Sequence, residues 1–195
     1  AIITFSPEFL TEANAVDDFR GQDRIVLGVP EVDEDGYDLV QDACQAFWRV
    51  FDVSHPVWLQ MSHDGTIGAP GAERVTCTSD VAEMVKYVAN CFLATKVSFA
   101  NEVYQICEAL GIPYDRMIEV AKLDRRLGES HWAVPGPDGG RGWGLSCFPK
   151  DLNSLMIVAR SHGVDPRVMQ AVWEKNLEVR EDRDWERMAR AFVNT

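Results

Sequence analysis

Basic charge is scarce in this chain. Nineteen lysines and arginines stand against 31 aspartates and glutamates, for a net charge of −12. No run of lysines or arginines makes a local basic patch, so nucleic acid is excluded as a partner. Long apolar runs are missing too. None approaches the ~20 residues of a membrane span, and no basic-then-apolar signal pattern opens the chain, so no membrane partner is expected. Paired cysteine spacing is absent: Cys44, Cys77, Cys91, Cys107 and Cys147 are odd in number and scattered. This argues against a disulfide framework and for reduced thiols in a cytoplasmic protein. The four histidines have no HxxxH or CxxC companions, so no metal site is expected. Also missing is a G-x-G-x-x-G turn after a strand, the phosphate-binding fingerprint of a dinucleotide domain.

What is present changes character along the chain. Up to about residue 75, apolar stretches at 1–5, 24–28, 56–61 and 74–77 read as strands, and residues 37–51 have helical spacing. This is an α/β start. The middle is helical. Val81, Val85, Val88, Phe92, Phe99, Val103, Ile106 and Leu110 recur mostly three or four apart, and Gly111 with Pro113 stops the run. Asp80 and Glu83 suit a capping box at its start. A helix over ~80–110 is roughly 45 Å long at the usual rise. Its neighbouring face (Met84, Tyr87, Cys91, Ala94) is apolar as well, which predicts a homodimer through this helix. Shorter helices are expected over 115–123, from about 147 to 161, and from 166 onward. Residues 178–190 are nearly all charged with alternating sign, as in a solvated helix or linker.

The stretch Gly139-Gly140-Arg141-Gly142-Trp143-Gly144-Leu145-Ser146-Cys147 delivers a cysteine to the start of a helix. Ser146 or Cys147 stands at the cap, and Pro149 suits the first turn. Free N–H groups and the positive end of the helix dipole favour a thiolate there. Asp151, four residues on, shares a face with Cys147. Together with Lys150 nearby, this suggests covalent catalysis on a carbonyl. The alternative is a buried structural cysteine after a flexible loop. Two further polar pairs have the same spacing. Glu8 and Glu12 lie at a helix start that Pro7 can open, and Lys86 and Asn90 stand on one turn of an otherwise apolar helix. A lysine and an asparagine placed there are costly without a partner or a ligand.

These residues resemble the UDP-glucose/GDP-mannose dehydrogenase family, most closely its UDP-glucose 6-dehydrogenases. The resemblance rests first on Ser6-Pro7-Glu8-Phe9-Leu10-x-Glu12 and on Asp23-Arg24-Ile25-Val26-Leu27-Gly28. It continues through Glu83-x-x-Lys86-Tyr87-x-Ala89-Asn90-x-Phe92-Leu93-Ala94 and Asp124-x-Arg126-Leu127-Gly128. It ends on Gly142-Trp143-Gly144-x-Ser146-Cys147-Phe148-Pro149-Lys150-Asp151, so that it covers roughly residues 6–160. It implies that residues 1–75 are the C-terminal remnant of a Rossmann-like NAD domain. Residues 76–175 would be the helical central dimerisation domain, and 176–195 a charged linker helix, with the third, nucleotide-sugar domain absent.

The resemblance also implies chemistry: NAD-dependent four-electron oxidation of a nucleotide sugar such as UDP-glucose at C6, through a cysteine thioester. It makes Cys147 the nucleophile and gives Lys86 and Asn90 the oxyanion. Asp151 orients or deprotonates water, and Glu8 assists thioester hydrolysis. Gly142, Trp143, Gly144, Leu145, Phe148 and Arg126 would meet substrate, Arg126 across a dimer interface. Glu12 and Lys150 would lie towards NAD. One departure stands out: Leu145 replaces the family's second glycine before the cysteine, and would be strained if that position requires positive φ. Three readings stay open: a dehydrogenase core that is incomplete and inactive alone, a non-catalytic dimerising remnant that binds a partner, or a cysteine-based thioester hydrolase without NAD.

Overall fold

The computed structural model describes residues 3–10, 15–51 and 72–188. They form two compact units, Ala1–Lys86 and Tyr87–Thr195. The division falls within the long helix.

In the first unit, the described elements are helix α1 (Ala15–Arg20), strand β1 (Arg24–Val29), helix α2 (Tyr37–Val50), strand β2 (Glu73–Thr78) and the start of helix α3 (Ser79–Leu110). Strands β1 and β2 pair in parallel, with Arg24 opposite Glu73 and Val29 opposite Thr78. Ile25, Val26 and Leu27 are all buried. A run buried on both faces is what a parallel strand needs, and explains why this stretch reads as continuous rather than alternating. At Gly28 a Cβ would lie 2.6 Å from the Ala82 Cβ, so glycine allows α3 to pack directly on the strand end. Of the strand expected over residues 1–5, residues 1 and 2 lie outside the described residues, and residues 3–5 show an antiparallel bridge between Phe5 and Gly28. The helix expected to open at Pro7 is not formed over residues 7–10, which are irregular. The strand expected at 56–61 lies outside the described residues, as does Glu12. The sheet among the described residues has two strands, which makes an α/β start but not a complete Rossmann-like one.

The second unit is helical. It contains the rest of α3, then α4 (Tyr114–Ala121), α5 (Cys147–Ser161) and α6 (Arg167–Val179). Helix α3 ends where Gly111 takes a left-handed backbone (φ 69) and the Ile112 N–H returns to the Cys107 carbonyl. Helix α5 ends the same way, with Gly163 at φ 76 and the Val164 N–H on Ala159 O. One core cluster joins α3, the loop before α5, α5 and α6 through Cys91, Ala94, Trp143, Leu152, Met156 and Val172. A second joins α3, α4 and the loop through Ala100, Cys107, Tyr114, Trp132 and Val134. Burying a side chain such as Leu152 contributes about 1.5–3 kcal/mol.

Up to residue 188, the charged segment after α6 does not continue as one solvated helix. The helix stops at Val179, and a short 3-10 turn follows at Asp184–Arg187. Arg180 and Trp185 are buried, because carboxylates and indole rings meet them at the glycine loop.

Candidate active site

Cys147 is the first residue of α5, with Ser146 at its N-cap. Ser146 makes no side-chain cap hydrogen bond, and its Oγ lies 3.9 Å from the Cys147 Sγ. Pro149, in the first turn, lacks an N–H where the helix has no acceptor to offer. The thiol is half-buried rather than sealed in the core.

One turn along, Asp151 is 1% exposed. Its Oδ2 accepts the Asn90 amide at 2.5 Å, and its Oδ1 accepts the ammonium of Lys150. A buried carboxylate is tolerable only when paired and hydrogen-bonded in this way. Lys150 is held above its ordinary value. Burial pulls it down, but the Asp151 hydrogen bond and charge outweigh that, with smaller help from Tyr87 and Cys147. The nearby Cys91 thiol goes up to about 12, through burial first and the Asp151 charge second.

Lys86 and Asn90 stand one turn apart on α3, and each has found a partner. Asn90 meets Asp151. Lys86, within the first unit, donates to Glu8 Oε1 at 2.8 Å and to the Glu8 carbonyl at 2.7 Å. The five residues singled out for catalysis therefore fall into two groups: Glu8 with Lys86, and Asn90 with Asp151 on the helix that begins at Cys147.

The loop before Cys147 is fixed by buried polar side chains that sequence reasoning passed over. Asn101 accepts the Gly142 N–H at 3.2 Å. Asn176 accepts the Trp143 N–H at 2.8 Å and donates back to the Trp143 carbonyl at 2.9 Å. Ser98 accepts from the Trp143 indole at 3.0 Å. Trp143 is 4% exposed and packs with Trp173 and Trp185. It is therefore a core residue that anchors the loop. Phe148 is half-buried and sets its ring edge-on to Trp143.

The glycines have a packing reason as well. A Cβ on Gly144 would strike the Asp184 carboxylate and come within 2.6 Å of the Arg180 guanidinium. Arg180 is 7% exposed, with the Asp138 carboxylate at 2.6 Å. Asp138 is held below the ordinary carboxylate range. Burial pushes it up, but the Arg180 hydrogen bond, the Gly140 N–H and the Arg180 charge together outweigh that.

Leu145 has φ 59, the left-handed backbone that favours glycine. The strain foreseen for a leucine here is present, while its half-exposed side chain escapes crowding. Arg126 is exposed and paired with Asp124 two residues away, which holds its guanidinium charge more firmly than usual. His131 was also passed over. Its Nδ1 is buried without a hydrogen-bond partner among the described residues, and burial together with the Lys96 charge lowers its affinity for a proton. Its ring faces Phe148.

The signals for the missed residues were faint. Asn101 and Asn176 are polar residues on apolar helical faces, and Trp185 is a lone aromatic in a charged run. Among the described residues no group of His, Cys, Asp or Glu is suited to a metal ion, and no helix is long and apolar enough to cross a membrane.

Comparison with known proteins gives the family of this chain. The family model for the UDP-glucose/GDP-mannose dehydrogenase family, central domain, matches residues 80–178. The UDP-glucose 6-dehydrogenase AglM of Haloferax volcanii is 33% identical over 174 residues, which are 89% of this chain and 35% of that protein. A UDP-glucose 6-dehydrogenase of Pseudomonas aeruginosa is 32% identical over 179 residues, 92% of this chain and 34% of the relative. The solved UDP-glucose dehydrogenase of the archaeon Pyrobaculum islandicum superposes with a TM-score of 0.66 at 32% identity, covering 91% of this chain and 34% of its own. The chain thus spans about a third of the length of the curated relatives it matches.

Proposed function

This chain belongs to the UDP-glucose/GDP-mannose dehydrogenase family, and we propose that it carries the covalent-catalysis segment of a nucleotide-sugar 6-dehydrogenase acting on a substrate such as UDP-glucose. The observation that carries this reading is the hydrogen-bonded group of Asn90, Lys150 and Asp151 one helical turn from Cys147.

The steps assigned to this chain are those that move no hydride. The Cys147 thiolate attacks C6 of the sugar aldehyde. A C–S bond forms, and the carbonyl π electrons move to oxygen, giving a thiohemiacetal once that oxygen takes a proton. A preorganised amide such as Asn90 suits the developing oxyanion. At the thioester stage, water adds to the acyl carbon as Asp151 takes its proton. The tetrahedral intermediate then expels the Cys147 thiolate, and the carboxylic acid so formed gives up its remaining proton to solvent to leave the carboxylate product. The roles proposed for Lys86 and Glu8, oxyanion stabilisation and thioester hydrolysis, rest on the family resemblance alone.

NAD is the hydride acceptor the resemblance implies. The described residues do not by themselves make up its site. The sequence has no G-x-G-x-x-G turn, and the ammonium of Lys150 is already engaged by Asp151. No step through the nicotinamide is therefore assigned to a residue of this chain.

For assembly, we propose a homodimer along α3. Val88, Phe92, Phe99, Ile106 and Leu110 form an exposed stripe on that helix, with Phe92 66% and Phe99 57% exposed, a surface that favours a partner. A cytoplasmic location accords with the five free thiols.

The catalytic reading is tested by alkylating Cys147 with iodoacetamide in the presence of the C6 aldehyde of UDP-glucose. Saturable protection of Cys147 is expected. An unchanged alkylation rate at all aldehyde concentrations overturns it.

A further inference from the structure

Two residues before Cys147, the backbone is held in a conformation its side chain disfavours. Leu145 sits at φ 59, where an L residue's Cβ crowds the carbonyl oxygen. Its N–H donates to both oxygens of Asp184 at 3.1 Å. Asp184 is itself largely buried, with Arg180 at 3.4 Å. Arg180 is fixed in turn by Asp138 at 2.6 Å and by the Asp182 carbonyl at 2.8 Å. The same carboxylate fills the space a Cβ on Gly144 would need. A single side chain from the segment after α6 thus grips two consecutive residues of the loop. From Leu145 the chain passes through the cap residue Ser146 directly into the first turn of α5.

We propose that Asp184, backed by Arg180, is a positioning residue for Cys147. It holds the left-handed backbone of Leu145, and so fixes the direction in which the first turn of α5 presents the thiol. Without the carboxylate, Leu145 relaxes towards negative φ and the loop leading into Cys147 rotates. The proposal deepens the reading of Cys147 as the nucleophile and rests on it for its catalytic meaning. The geometric claim is testable separately.

The test is a double-mutant cycle with Asp184→Ala and Leu145→Gly, read by the rate of Cys147 alkylation by iodoacetamide at several pH values. Asp184→Ala is expected to slow alkylation about tenfold when Leu145 is present. In the Leu145→Gly background the loss shrinks to about twofold or less, because glycine keeps positive φ unaided. Asp184→Asn, which keeps an acceptor for the Leu145 N–H, stays within about twofold of the native rate. Thermal unfolding of each variant confirms that folded protein is compared. If Asp184→Ala does not fold, Asp184→Ser, too short to reach Leu145, carries the same cycle. Equal losses in both backgrounds, or a native rate for Asp184→Ala, overturn the proposal. Alkylation needs no aldehyde. Coupled losses without aldehyde protection would therefore sink the catalytic reading while leaving the positioning role intact.

Discussion

Asn90 and Asp151 lie 61 residues apart in sequence and share a 2.5 Å hydrogen bond. The bond ties the middle of α3 to the first turns of α5, and satisfies one oxygen of a buried carboxylate. Asn90→Ala removes one of the two partners named for a buried charge. It is expected to cost about 1–3 kcal/mol, measured as a drop in the urea midpoint at neutral pH. Asn90→Asp sets a second carboxylate against Asp151 and should cost more, with part of the loss recovered as the pH falls and one carboxyl takes a proton.

Tyr114 donates its hydroxyl to the Trp132 carbonyl at 2.7 Å in the second core cluster. Tyr114→Phe keeps the ring and leaves that carbonyl without its donor. A loss of about 1–3 kcal/mol is expected by chemical denaturation.

Alkaline stability follows from two raised groups. Cys91 moves from an ordinary 9.0 to about 12 through burial and the Asp151 charge. Tyr114 moves from 10.0 to about 12 through burial, then the charges of Cys107 and Asp115. Both folded values exceed the unfolded ones, so the neutral forms favour the folded state. That contribution is fully present below the unfolded values and is lost as the pH rises from about 9 towards 12. Thermal unfolding temperatures should therefore fall steadily above about pH 9, and less steeply in Tyr114→Phe. In the folded protein at about pH 8.5, Cys91 should resist iodoacetamide while Cys147 is modified, as read by peptide mass spectrometry.

The exposed stripe on α3 predicts association. Light scattering should give twice the chain mass at micromolar concentration. Phe92→Glu, which puts a charge at a 66% exposed apolar position, should shift the protein to monomer without lowering its helical signal. A monomeric native protein contradicts the dimer.

Helices α2 to α6 were legible because their apolar residues repeat at helical spacing, and β1 because a strand covered on both faces must be continuously apolar. Cys147 and Asp151 were legible because four residues on a helix make one face. The segment after α6 was not. Arg180, Asp182 and Asp184 read as solvated charges, since sequence spacing cannot reveal that the Arg180 guanidinium meets Asp138, 42 residues away. The burial of Trp143 was not legible either, because Trp173 and Trp185 cover it from distant positions in the sequence. Leu145 was legible only conditionally, as strained if its φ is positive, and its φ is 59.

The central claim is that Cys147 bonds covalently to C6 of a nucleotide-sugar aldehyde. The most direct measurement is the carbon-13 NMR spectrum of the C6-labelled UDP-glucose aldehyde mixed with the protein and with Cys147→Ala. A new C6 resonance, distinct from the free aldehyde and its hydrate, is predicted with the native protein and absent with Cys147→Ala. Identical spectra for the two proteins would contradict the account.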